Sequence, residues 1–273
     1  MSRLIYAGIF RLKKSNLFKW SLTSVLLYTI FVYGIQYYRM PKNEKIPFDS
    51  FLFFFLLIIG IVTAMFVSSF IGKEYSDGTI RNKLIVGLSR KSIYLSNLII
   101  CIIAEIIIVV ANYIIGSILG FVLFGYLEMS LSKLMIMGLV GVLLSIAYVS
   151  IFYMITMISS SKTRSANICL TLASFIIIAS IMLFNRLATP EYIEKVKVEN
   201  QQNAVEMIKN PSYISGTKRK VYETILYFLP NGQVMSIFNE RGTNYVTMMV
   251  YSTMTVVFTT AVGTIIFCRK DIK

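Results

Sequence analysis

The sequence predicts an all-α integral membrane protein with six transmembrane helices. Of its 273 residues, 56% are hydrophobic and only 15% are charged, with a mean hydropathy of +0.70, whereas about 25% of residues are charged in an ordinary soluble domain. Six long stretches contain at most one charge, and about 20 apolar residues suffice for a helix to cross a bilayer. None shows the apolar–polar alternation of a membrane strand. We expect a single transmembrane domain over 1–273, with spans at about 20–38, 50–72, 93–124, 134–158, 166–185 and 244–267.

An amphipathic elbow helix is predicted before the first span. Apolar residues recur there at helical spacing while basic residues mark the other face, a pattern that suits a helix lying in the membrane interface. The alternative is an ordinary basic flank. No cleaved signal peptide is expected, because the uncharged run from Trp20 to Tyr38 has 19 residues and a signal peptide has an apolar core of about 7–15. The apolar positions are Met1, Leu4, Ile5, Gly8, Ile9 and Leu12.

The distribution of Lys and Arg predicts that both termini are cytoplasmic. An even number of spans places the termini on one side, and with that side inside, the short loops and tails hold 15 basic residues inside and 4 outside. Short cytoplasmic loops carry such an excess. About +12 of the formal net charge of +14 then lies on the cytoplasmic side. The charge indicates orientation in a plasma membrane, with lipid as a partner and no nucleic acid.

Several kinds of chemistry are excluded by missing residue types. The chain has no histidine, so it has neither a Ser-His nucleophile nor an H-E-x-x-H zinc site. Its three cysteines, Cys101, Cys169 and Cys268, form no disulfide framework or spaced metal-ligand pair. There is no G-x-x-x-x-G-K-[ST] loop to hold the phosphates of ATP. We therefore expect no catalytic, metal or cofactor-binding residues on this chain, and ATP-driven work would need a partner.

The loop between the second and third spans, 73–91, has the signals of a short helix. Asp77 can cap a helix from about Thr79 to Val86, and Gly87 can terminate it. Ser89 can then cap the next helix.

The side chains of this short helix divide into two predicted faces. Arg81 and Lys83 are expected to face the cytoplasm, and Ile80, Leu84 and Ile85 to pack under the bundle. Such an element is better suited to transmitting force than to binding a ligand.

With this loop the chain resembles the type-2 permease subunits of ATP-binding-cassette (ABC) transporters, which are mostly bacterial exporters. The resemblance covers the whole topology, and its motif spans about 17 residues. Gly87 departs from the pattern, since many relatives have proline before the Ser-Arg pair. The matching positions are Glu74, Gly78, Thr79, Arg81, Leu84, Ser89 and Arg90.

The resemblance implies that this loop is a coupling helix that docks in a groove of an ABC ATPase subunit. It also implies two ATPase copies, which carry ATP and Mg, and a second permease that is identical or homologous. Short re-entrant helices are implied in the loop 186–241, where Thr224–Asn239 is too short and broken to span. The residues assigned to coupling are Glu74, Asp77, Gly78, Thr79, Arg81, Lys83, Leu84, Gly87, Ser89 and Arg90.

One acidic residue, Glu105, lies within a predicted span. It is protonated, hydrogen-bonded to a polar side chain, or exposed to a water-filled cavity. Asn112 continues its helix face, together with Gly116 and Gly120, whose G-x-x-x-G spacing is typical of close helix packing. The face indicates a structural role, and a substrate path through Glu105 and Asn112 is the alternative.

The most specific function that these features predict is the permease subunit of an ATP-driven exporter. Spans rich in methionine and aromatic residues favour an apolar or amphipathic cargo such as a peptide, lipid or drug. The mixed charges in 191–220 predict a solvated helical face. Two other classes remain open: a secondary transporter driven by an ion gradient, and a membrane sensor or scaffold that does not transport.

Overall fold

The computed structural model describes residues 1–40, 46–199, 202–239 and 243–270, with the backbone alone at Ser50, 194–199, 202–206 and Asn239. Helices dominate this part of the chain, as predicted. In chain order its elements are α1 Ser2–Lys14, α2 Asn16–Arg39, α3 Asp49–Leu52, α4 Leu56–Ser76, α5 Thr79–Ile85, α6 Arg90–Leu123, α7 Leu131–Ser159, α8 Lys162–Ala188, β1 Tyr192–Glu199, β2 Gln202–Lys209, α9 Gly216–Phe228, α10 Pro230–Asn239 and α11 Tyr245–Arg269.

Six of these helices are long and apolar enough to cross a membrane, which confirms the predicted number of spans. They are α2, α4, α6, α7, α8 and α11. The fourth element, α4, is the most buried of the six and packs against α7 and α8, whereas α2, α8 and α11 lie at the periphery and turn apolar side chains outward. A hydrophobic outer surface of this kind is expected where lipid is the solvent.

The second span is shorter and more broken than the predicted 50–72. One helical turn, α3, is followed by a tight turn at Phe53–Phe55 before α4 begins at Leu56. Amide-to-carbonyl bonds three residues apart, such as Leu56 to Phe53 at 3.0 Å, mark this turn. Of its phenylalanines, Phe53 and Phe55 both contact Tyr113, whereas Phe54 contacts Phe238.

The elbow helix is present as α1 and packs on α6. Its predicted apolar face is the buried one, with Gly8 and Leu12 fully buried. A side chain at Gly8 would overlap Ile100 of α6, so glycine allows the two helices to approach closely. The helix ends at Lys14, and Ser15 caps α2 by accepting a hydrogen bond from the Phe18 amide at 3.4 Å.

The segment before the last span contains a β-hairpin and a helical hairpin. Strands β1 and β2 pair in antiparallel register, with Tyr192 opposite Lys209. The prediction of a solvated helical face is therefore wrong here. In 195–198 valine and lysine alternate, which is the period of a strand. The predicted re-entrant or interfacial hairpin is present as α9 and α10, and its start at Gly216 is earlier than predicted.

The bundle has two ends, which we call the elbow end and the far end. At the elbow end, α1 and α5 are joined through Glu74 of α4, and Arg90 of α6 bonds the last turn of α11. At the far end lie α3 and the hairpin of α9 and α10, next to the start of α7.

Candidate functional site

The short helix α5 spans Thr79–Ile85 and is bounded by two left-handed glycines. Gly78 precedes it with a φ of 66° and Gly87 follows it with a φ of 85°, which confirms Gly87 as the stop. The prediction that Asp77 caps α5 is wrong, because Asp77 ends α4 and the N-cap position is Gly78, with no side-chain cap. Ser89 does cap α6, accepting from the Ser92 amide at 3.3 Å.

One face of α5 is anchored and the other is open. Ile80 is buried and Leu84 packs against the core. Ile85 and Val86 are instead 75% and 80% exposed, so the prediction that Ile85 packs under the bundle is wrong. At about 100° per residue, Ile85 lies about 140° around the helix from Ile80, whereas Leu84 lies only about 40° away. Arg81 is exposed beside them.

A single carboxylate at the end of α4 connects four elements. Glu74 Oε1 accepts from Lys83 Nζ of α5 at 2.7 Å and pairs with Arg11 of α1. Its other oxygen, Oε2, accepts from Asn97 of α6. We call these four residues the Glu74 junction. The carboxylate is 3% exposed, and its charge is satisfied by charge-assisted hydrogen bonds, the strongest kind in proteins.

Burial lowers the pKa of both cations in the Glu74 junction. Burial, and then the positive charge of Arg11, lower the pKa of Lys83 to about 8. Burial also lowers the pKa of Arg11 below its ordinary value, and its guanidinium lies 4.2 Å from the centre of the Phe70 ring, a cation–π contact. Lys83 lies only about 60° around α5 from the buried Ile80, and its ammonium group donates to Glu74. It therefore faces the bundle, so the prediction that Lys83 faces the cytoplasm is wrong.

Arg90 faces the last span. It donates to the carbonyl oxygen of Phe267 at 3.3 Å and to that of Lys270. Lys270 in turn donates to the Ile158 carbonyl and the Ser160 hydroxyl at the end of α7. Arg90 thus joins α6 to α11 and α7, which the motif alone did not indicate.

A cleft of about 410 Å³ lies between α1 and the end of α4. Arg11, Lys14, Lys73 and Asp77 are among the side chains that line it. The cleft leads from the Glu74 junction to the surface of the elbow end, next to α5.

Glu105 and Asn112 are both buried and each bonds a threonine of another helix. Thr63 of α4 donates to Glu105 Oε1 at 2.7 Å, and Thr29 of α2 donates to Asn112 Oδ1 at 2.8 Å. Glu105 is 1% exposed, so it is not open to a water-filled cavity in this conformation. The polar face of α6 therefore connects three helices.

The glycines of the same α6 face receive large side chains. Gly120 lies against the Phe48 ring, and Gly116 against Leu52 and the Tyr33 hydroxyl. The close packing expected of the G-x-x-x-G spacing is thus with side chains from α2 and the α3 region.

A family model described as ABC-2 family transporter protein matches residues 13–272. The chain belongs to the ABC-2 transporter family. No curated protein matches it. The family assignment makes the chain a multi-pass membrane protein and the permease component of an ABC transporter, which works with an ABC ATPase subunit. An ABC-2 permease domain is a membrane component and not a catalytic unit.

The far end of this ABC-2 permease contains a buried acid, Asp49, which lies one residue before the predicted second span. Asp49 is 2% exposed, and its Oδ2 accepts from the backbone amides of Glu128 at 3.1 Å and Met129 at 2.6 Å. Its Oδ1 is buried and has no hydrogen-bond partner among the residues that the structure describes. Asp49 borders a cavity of about 440 Å³, which we call the Asp49 cavity. The fold brings it together from α3, α4, α7, α8 and α10, so no local motif indicates it.

Among the residues that the structure describes, no group of three His, Cys, Asp or Glu side chains is placed to hold a metal ion. The described part of this ABC-2 permease contains a cluster of paired charges, the Glu74 junction beside α5, and a largely apolar cavity bordered by one buried acid, the Asp49 cavity.

Proposed function

We propose that this chain is the permease subunit of an ATP-driven exporter and that the open face of α5 is its ATPase docking surface. The single observation that carries the proposal is the division of α5 into an anchored face and an exposed face. Ile85 and Val86 are large apolar side chains exposed at the tip of a polar end of the molecule, beside the exposed Arg81. An apolar pair with a charged rim is typical of a surface that a partner covers.

The Glu74 junction gives this docking surface a route into the membrane domain. A push on α5 acts on Lys83, and through Glu74 it acts on α4, on α1 by Arg11 and on α6 by Asn97. Charge-assisted hydrogen bonds are the strong ones in proteins, so we infer that these elements move together as one body. We infer that ATP-driven closure of two ATPase subunits moves this body and changes the access of the pathway from inward-open to outward-open.

The remaining parts of the proposal concern the assembly and its cargo. Six spans supply one half of a pathway, so a second permease, identical or homologous, supplies the other. The short-loop excess of Lys and Arg supports a plasma-membrane orientation with both termini cytoplasmic. Exposed methionine and phenylalanine side chains on α11, such as Met254 and Phe258, support an apolar or amphipathic cargo.

The docking surface is tested by co-purification and transport with the ABC ATPase subunit that works with this permease. The variant Arg81→Glu with Val86→Glu reverses the charge and removes the apolar tip without touching the Glu74 junction. We expect at least about tenfold less ATPase retained on the tagged permease, a loss typical of hot-spot residues, and loss of ATP-dependent export from vesicles.

Lys91→Glu is the matched control, because it reverses an exposed charge near the same end but on α6. It should leave ATPase retention unchanged. Full ATPase retention and export by the Arg81→Glu, Val86→Glu protein would show that α5 is not the docking surface. Transport driven by a proton or sodium gradient without any ATPase would overturn the exporter proposal itself.

A further inference from the structure

We propose that the Asp49 cavity binds lipophilic organic cations, with Asp49 as the group that recognises the charge. The cavity has a volume of about 440 Å³, within the range of about 300–1,000 Å³ of small-molecule sites. It is a different place from the α5 docking surface and lies at the opposite end of the bundle.

The walls of the cavity specify an apolar body for the ligand. Besides Asp49, they comprise four phenylalanines, three methionines, one leucine and one isoleucine. Aromatic faces attract cations through their negative quadrupole, and the flexible thioether of methionine adapts to ligands of irregular shape. A wall with this composition accepts a hydrocarbon cage or ring and tolerates positive charge near it.

Asp49 specifies the charge of the ligand. One carboxylate oxygen, Oδ2, is used by the amides of Glu128 and Met129, so it fixes the start of α7 relative to α3. The other oxygen, Oδ1, is buried and finds no hydrogen-bond partner in the described part of the chain. A buried acceptor without a donor is costly, and a cation bearing N–H groups would remove that cost. A neutral alcohol of the same shape could donate one O–H to this oxygen but would not compensate the carboxylate charge, and an anion would be repelled.

The acid and the apolar walls come from separate elements, which indicates a formed site and not a gap in the packing. Asp49 lies in α3, Met137 in α7, Phe184 in α8 and Met235 in α10. The helical hairpin of α9 and α10 therefore closes one side of the cavity. Because α10 belongs to this hairpin, its position controls access to the site.

The test is equilibrium binding of 1-adamantylammonium and of neutral 1-adamantanol to the permease in nanodiscs, without ATPase or ATP. The two probes share one cage and differ in charge. We expect saturable binding to the wild type, with the ammonium bound at least about tenfold more tightly than the alcohol, as a charge-assisted hydrogen bond requires. No saturable binding, or equal affinity for the two probes, would overturn the proposal.

Two variants locate the binding. Asp49→Asn keeps an oxygen that can accept from Glu128 and Met129 but replaces Oδ1 by an amide group, so we expect the preference for the ammonium to disappear. Met235→Trp fills the cavity and leaves Asp49 intact, so both probes should lose affinity. Retained ammonium preference in a folded Asp49→Asn protein, or unchanged binding in Met235→Trp, would also contradict the proposal.

Because binding is measured on the permease alone, its outcome is independent of ATP coupling. Absence of binding would leave the exporter proposal in place, and failure of the α5 docking test would leave the cation site in place.

Discussion

The two ends of the second span each hold a buried carboxylate, and the surroundings of the two acids are opposite. At the elbow end, Glu74 accepts from three side chains on three other elements, and both of its oxygens are used. At the far end, Asp49 uses one oxygen for backbone amides, and among the described residues its other oxygen has no hydrogen-bond partner beside the cavity. The first acid is bound on both oxygens by side chains of the fold, which is the basis of its proposed structural role. The second keeps one oxygen unpaired, which is the basis of the proposed cation site.

The largest effect on stability and export is expected from Glu74→Gln, which removes the carboxylate charge of the Glu74 junction. The substitution keeps the shape of the side chain but leaves Arg11 and Lys83 without a carboxylate. We expect the free energy of unfolding in mixed micelles to fall by about 2–4 kcal/mol, somewhat below the fully buried range because both cations keep partial exposure. ATP-dependent export should be lost. Asp77→Asn removes an exposed acid three residues away and should leave the free energy of unfolding unchanged; an equal loss of stability in both variants would refute the junction.

The next largest effect is expected at the far end, from a substitution in the helical hairpin of α9 and α10. A side chain at Gly232 would overlap the backbone carbonyl of Leu226, which cannot rotate away. We expect Gly232→Ala to destabilise the protein by about 1–3 kcal/mol and to weaken binding of 1-adamantylammonium, because α10 shifts. ATPase retention at the other end should persist. Gly34→Ala is the control, since nothing lies within 4 Å of an added group there; if the two variants bind alike, α10 does not close the cavity.

A smaller effect follows from the lowered pKa of Lys83. In the folded protein Lys83 loses its proton near pH 8, whereas in the unfolded chain it does so near 10.5. The unfolded state therefore binds more protons between these values, so stability rises with pH across that window. Relative to Lys83→Met, we expect the wild type to gain about 1–2 kcal/mol in thermal unfolding between pH 8 and 10.

The exposed Lys91 serves as the control for the pH dependence of stability. Lys91→Met should show the same pH dependence as the wild type. A wild-type curve parallel to that of Lys83→Met would mean that the pKa of Lys83 is not lowered.

The smallest effect is expected from Glu105→Gln, between the two ends. The amide oxygen can still accept from Thr63, and the side chain stays buried, so stability should change by less than about 1 kcal/mol. Export rate and cargo preference should not change. Altered cargo preference with normal stability would restore the alternative in which Glu105 and Asn112 line the substrate path.

Much of the fold follows from the sequence because bilayer thickness and charge exclusion act on local stretches of chain. The spans, α1 and the glycines around α5 are local features. The helical period also gives the positions of Ile85 and Lys83 in α5 when each residue is projected around the helix axis from the buried Ile80. The alternation of lysine and valine in 195–198 likewise indicated a strand. The mixed charges of the segment led instead to the prediction of a helical face.

The contacts of the two acids could not be derived in the same way. Arg11 and Asn97 meet Glu74 from 63 residues before it and 23 after it along the chain, and only the packing of α1 and α6 brings them together. Asp49 carries no motif, and its cavity is assembled from five helices. Sequence patterns specify which faces are buried, whereas the pairing of buried polar groups depends on the tertiary arrangement.

The backbone conformation of Gly87 bears on which ATPase subunit can fit the proposed docking surface. Its φ of 85° is closed to proline, whose ring holds φ near −65°, so the chain leaves α5 along a path that proline at this position could not follow. The proposed docking surface lies next to this path. A contribution of its shape to the choice of ATPase would persist at any salt concentration, unlike a contribution of surface charge.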